Sequence, residues 1–104
     1  MSQAKRFTSM VELFTKMGWT QGHLACTELG IATQVKADNA CSFCTIGAVY
    51  RVYYEEEDVA RVIAQIKAYI DQNYAGVYHT IPEWNDAKVR SKWDVMVMCQ
   101  TLNI

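Results

Sequence analysis

Between Val59 and Ile70 the apolar residues Val59, Val62, Ile63, Ile66, Tyr69 and Ile70 recur at intervals of three and four, the spacing that lays one face of an α-helix against a core. Four acids, Glu55 to Asp58, stand at the head of this run. Negative charge there complements the positive end of the helix dipole, so the cluster reads as a helix start and not as an acidic active site. A helix over roughly Glu57 to Asn73 is predicted. Its stripe needs partners, and the chain has 104 residues in which to supply them, too few for two independent cores. One domain over residues 1–104 is expected, with residues 1–7 as the part open to disorder.

The partners are shorter helical segments. Ser9 is followed three residues later by Glu12, a capping-box pattern, and Met10, Leu13, Phe14 and Met17 then keep helical spacing up to Gly18, a natural left-handed stop. Trp19 should turn back onto the core. Asp38 and Asn39 offer caps for a helix from about Ala40 to Tyr53, whose buried stripe would be Cys41, Cys44, Ala48 and Val52, with Gly47 permitting a close neighbour. Ser91 with Asp94 can cap a last segment through Leu102. Its Trp93, Val95, Met96, Val97, Met98 and Cys99 are apolar nearly all round, which suits a central helix and leaves a buried strand as the alternative. Leu24 to Cys26 and Ile31 to Val35 flank Glu28-Leu29-Gly30 as two extended pieces about a turn. From Tyr74 to Arg90 no period survives, and that loop is expected to be packed by Tyr74, Tyr78 and Trp84. The fold class expected is mainly α: a compact domain of about four helices with a small β-hairpin between the first two.

Composition excludes several function classes. Half the residues (51%) are apolar and one is proline, which argues against disorder. A net charge of -1 and no basic run longer than the alternating Lys88, Arg90 and Lys92 argue against nucleic acid as a partner, because that affinity comes mainly from neutralised phosphates. No apolar run approaches the ~20 residues of a membrane span, and no signal-peptide core follows Lys5 and Arg6. Four cysteines without a secretory signal point to a reducing, cytoplasmic setting.

Chemistry-bearing residues fall into a few patterns. His23-x-x-Cys26 and Cys41-x-x-Cys44 have the spacing of two metal knuckles joined by a hairpin-sized connection, and thiolates with imidazole suit a closed, structural zinc. The competing reading makes the cysteines core filler and His23 a surface side chain. Cys41-x-x-Cys44 is also a dithiol pattern, though the βαβ context of a redox pair is missing. Cys44, His79 and Asn85 follow the chain order of a cysteine-hydrolase triad, without an oxyanion-hole motif beside them. Trp84-Asn85-Asp86 is either a turn closed by its own side chains or an exposed Trp among polar neighbours, a composition favoured in binding hot spots.

Gly18-Trp19-Thr20-Gln21-Gly22, then Ala25 and Gly30, then Cys44-x-x-Gly47-Ala48 and finally Trp84-Asn85-Asp86 together resemble a family of small proteins of unknown function found in bacteriophages and actinobacteria. The likeness runs from Leu13 to Leu102. It implies a phage or phage-derived origin and a recurrent cysteine at Cys44 behind an aromatic, here Phe43. A counterpart of Cys41 is not part of that pattern, so the resemblance implies no shared zinc site, and it carries no activity.

The function expected is a small, non-enzymatic protein-interaction module, a phage accessory protein that binds and modulates a host protein. Its partner-binding residues would be Tyr78, His79, Trp84, Asn85 and Asp86, with Trp84 exposed and dispensable for folding. No cofactor is expected on this reading. The alternatives are a structural zinc module held by His23, Cys26, Cys41 and Cys44, and an enzyme dependent on Cys44.

Overall fold

In the computed structural model, which describes residues 5–104, the chain passes through α1 (Met10–Lys16), β1 (Gly18–Trp19), β2 (Ala25–Cys26), β3 (Ser42–Phe43), α2 (Thr45–Val52), α3 (Glu56–Tyr74), α4 (Ile81–Asn85) and α5 (Lys92–Leu102). The long helix anticipated from the three-and-four spacing is α3, which buries Val62, Ile66 and Ile70. Phe14, Phe43, Val49, Trp84, Val95 and Met98 join that stripe in one core. Serine caps start both end helices as the sequence implied, but Gly18 is not the left-handed stop expected: it opens β1, and α1 ends at Met17 in an extended conformation. The Ser9 hydroxyl accepts from the Glu12 N–H at 3.0 Å, and Ser91 with Asp94 forms a full capping box at the start of α5. The last segment is therefore a helix, and the strand alternative falls. Among the described residues no helix is long and apolar enough to cross a membrane.

Three further expectations need correction. The second helix begins at Thr45, not near Ala40. Ser42 and Phe43 instead form the central strand of a three-stranded sheet, parallel to β1 and antiparallel to β2. Pairing on both sides satisfies this segment's backbone, whose N–H groups an early helix would have left in its unpaired first turn. Asn39, the expected cap, accepts from the Thr33 hydroxyl at 3.2 Å and closes the preceding loop. The second correction is α4, a short helix inside the supposedly irregular stretch. Thr80 caps the Glu83 N–H at 3.1 Å, and Pro82 sits in the first turn, where its missing N–H costs nothing. The third is Trp93, expected in the core and found 72% exposed. A helix that is apolar all round buries only the face that meets its neighbours, and α5 buries Val95, Met98 and Cys99. As for the N-terminus, residues 1–4 lie outside the described residues, while Phe7 is buried in the core.

The hairpin between α1 and α2 is present. Cys26 bridges Ala32 in antiparallel fashion, the Thr27 N–H donates to the Ile31 carbonyl at 2.8 Å and the Gly30 N–H to the Thr27 carbonyl at 2.9 Å. Gly30, with φ of 80°, takes the left-handed position that closes a three-residue turn. At the other end of this unit Cys44 donates its N–H to the Leu24 carbonyl at 3.1 Å, which draws α2 against the hairpin base. Gly47 lies at that contact, and a Cβ placed on it would collide with the Leu24 carbonyl. Gly47→Ala should therefore destabilise the protein by about 2 kcal/mol or more through overpacking against immobile backbone, read as a lowered urea midpoint.

Candidate functional site

The segments 18–22, 44–48 and 84–86 are far apart in the chain and meet at one side chain. Asn85, at the end of α4 and 1% exposed, accepts at Oδ1 from Trp19 Nε1 (2.9 Å), the Thr45 N–H (2.9 Å) and the Thr45 hydroxyl (2.7 Å). Its Nδ2 donates to the Thr20 carbonyl at 3.1 Å and to Asp86 Oδ1 at 2.9 Å. Only a carboxamide both accepts and donates in this way, since a carboxylate lacks the donors and a leucine lacks both. Around it Gln21 Nε2 donates to the carbonyls of Asn85 and Ala87 at 2.9 and 3.0 Å, and the Gly22 N–H donates to Asp86 Oδ1 at 3.1 Å.

Over this network lies a pocket of about 180 Å³. The buried Cys44 and Asn85 form its floor, Leu24, Ile46 and Pro82 its apolar walls, and the exposed His23 and Asp86 its rim. Cys44 serves as the N-cap of α2, its Sγ accepting from the Gly47 N–H at 3.2 Å. Burial pushes its thiol up from the ordinary value, the Gly47 and Ile46 amides work the other way, and the Asp86 charge adds to the rise. Cys44 is thus a protonated thiol at neutral pH and a weak nucleophile there. Cys99, on the buried face of α5, is pushed up to about 12 by burial.

A family model described as a family of unknown function (DUF6197) matches residues 2–102. The chain belongs to that family. No curated protein and no solved structure matches it. All three segments that converge on Asn85 lie inside the DUF6197 match.

The sequence-derived sites are redistributed by the structure. Of the five expected binding residues, Asp86 reaches the pocket rim, while Trp84 is fully buried, edge-on to Tyr74 at 5.9 Å and stacked by Arg90 at 4.5 Å. Asn85 lies in the pocket floor, and the expectation that Trp84 is exposed is overturned. Tyr78 is half-buried against Tyr74 at 5.6 Å, and His79 is exposed but does not line the pocket. His23, not His79, lines it with Cys44 and Asn85. The zinc set also separates. In the extended stretch running through β3, alternation sends Cys41 and Cys44 to opposite faces, and Cys44 is engaged as a cap. Among the described residues no three His, Cys, Asp or Glu side chains form a metal-holding group, and all four cysteines are free thiols.

Leu24, Ile46 and Pro82 were missed as site residues, and one signal was available. Thr80-x-x-Glu83 with Pro82 spells a helix start, which places Trp84 and Asn85 in one turn that packs inward.

Two outcomes follow. Asn85→Ala leaves the buried donors of Trp19 and Thr45 without an acceptor and should cost about 3 kcal/mol, and Trp84→Ala about 3–5 kcal/mol, both read by denaturant unfolding. Alkylation of the native protein followed by mass spectrometry should label the partly exposed Cys41 first and Cys99 last. Labelling of Cys44 should be slow at neutral pH and accelerate through the alkaline range as its raised pKa is approached.

Proposed function

We propose that this chain is a small, non-enzymatic protein-binding module and that the pocket over Asn85 receives one apolar side chain of its partner. The observation that carries this reading is the contrast between floor and opening. The floor is a hydrogen-bonded network that fixes three chain segments, whereas the walls are apolar and Leu24 is 49% exposed. A preformed recess that leaves greasy surface in water gains free energy when a side chain fills it. Its size supports a side chain over a metabolite, since about 180 Å³ falls below the ~300–1,000 Å³ usual for small-molecule sites. The protonated state of Cys44 weighs against the cysteine-enzyme alternative.

The net charge of -1 favours a protein over a nucleic acid as the partner. A cytoplasmic setting keeps four free thiols reduced. In the phage setting that the motif resemblance implies, the partner is a host protein, modulated by being held.

The test is affinity capture from a host lysate with three baits of equal thermal stability. The natural chain should retain a partner, Leu24→Glu should lose it, and Leu29→Glu, on the distant hairpin turn, should keep it. Equal capture by Leu24→Glu removes the pocket from the interface.

A further inference from the structure

Helix α2 carries its charge inward and its aromatics outward. Arg51 is 2% exposed and donates to the carbonyls of Lys5, Val35 and Ala37 at 3.2, 2.7 and 3.4 Å. Ile46, Tyr50 and the C-cap Tyr53, at i, i+4 and i+7, form a row along its outer side in which Tyr50 is 41% exposed and Ile46 and Tyr53 are half-buried. The solvent face of a surface helix ordinarily holds its polar residues. Here that face runs between two recesses. Ile46 walls the pocket over Asn85. Tyr50 and Tyr53, with Val59, Ala60 and Ile63 of α3, wall a second pocket of about 390 Å³. Ile46 and Tyr53, the C-cap of α2, are seven positions apart, a span of about 10 Å.

We propose that this strip receives an amphipathic helix of a partner protein, with apolar side chains at i, i+3 or i+4, and i+7, and a basic side chain at the end that meets Asp86. The inference rests on the reading of the Asn85 pocket as an anchor site and extends it along α2. Spacing is the first argument: the row of Ile46, Tyr50 and Tyr53 repeats at helical intervals, and a helix laid alongside presents anchors at the same pitch. Backbone chemistry is the second. An extended segment on this face would find no main-chain groups to pair with, because those of α2 are used within the helix, whereas a helical segment satisfies its own.

Charge is the third argument. Asp86 uses Oδ1 for the Gly22 and Asn85 N–H groups, and no hydrogen bond to its other oxygen is found among the described residues. Glu83 is exposed one position beyond Pro82. The rim thus offers negative charge at one end of the strip. The same charges disfavour a second copy of the chain. Antiparallel self-pairing sets Asp86 against the mate's Glu56 in the second pocket, and parallel pairing sets Asp86 near its own image. Lys36 in that pocket is already engaged over the Tyr54 ring at 3.9 Å.

The probe is a display library of short helical peptides selected against the whole folded chain, run beside an unconstrained library of equal size. Circular dichroism first confirms that each variant retains the natural fold. Helical binders should be enriched, with the stated apolar spacing and a terminal Lys or Arg. Tyr50→Glu and Ala60→Arg, both at exposed positions, should each weaken them about tenfold or more, and Asp86→Asn should abolish the preference for the basic residue. Binders that respond to Leu24→Glu but ignore Tyr50→Glu and Ala60→Arg overturn the helix site and leave the anchor pocket standing. Binders indifferent to all the variants, or no binders at all, overturn both. Enrichment of extended, proline-containing sequences, or self-association in sedimentation that Tyr50→Glu disperses, also overturns the helix site.

Discussion

The Asn85 carboxamide takes three donors on one oxygen and gives both its N–H bonds away inside the protein. That arrangement holds the loop after β1, the start of α2 and the end of α4 in fixed relation. A buried amide with every bond made rigidifies its surroundings, and a partly satisfied one would weaken them. The position of each pocket wall descends from it. Leu24 follows the loop tied down through Thr20, Gln21 and Gly22, Ile46 follows Thr45, and Pro82 stands one turn ahead of Asn85 itself.

Helix α2 is the element through which this order spreads. Its first turn is capped by a thiol, its third residue is a glycine pressed on the hairpin base, and its only charge points inward. Arg51 lies near Phe7 and Phe43, its guanidinium 5.6 and 5.4 Å from their ring centres, and gathers carbonyls from two loops, so the N-terminal segment and the 35–37 turn are pinned by the same side chain. A buried guanidinium supplied with carbonyl acceptors tolerates its burial. The desolvation shows as a lowered pKa for Arg51. With polarity spent on the inside, the outer positions hold isoleucine and tyrosine.

Legibility in the sequence followed the range of the interactions. Elements fixed by contacts within a few residues were readable: α3 from its period, α1 and α5 from their serine caps, the hairpin from its two extended pieces about Glu28-Leu29-Gly30. The start of α2 was not, because Ser42 and Phe43 are held by strands at Gly18 and Ala25 that no local window contains. The site failed for the same reason. Asn85 and Asp86 were noticed as polar residues beside a tryptophan, yet what makes Asn85 central is its bonds to Trp19 and Thr45, 66 and 40 positions away. Trp84 and Trp93 exchanged roles. Composition alone cannot say which of two tryptophans faces the core, and the cap at Thr80 was the local cue that decides it.

The long reach of the Asn85 bonds has a bearing on how the molecule comes into being. The hairpin and α3 can begin to organise from neighbouring residues, but the recess exists only after both ends of the chain have been brought together, a late step because distant closure is entropically slow. A nascent or partly unravelled chain therefore lacks the recess. A ligand of the recess would draw only on the completed state and pull the folding equilibrium towards it by mass action.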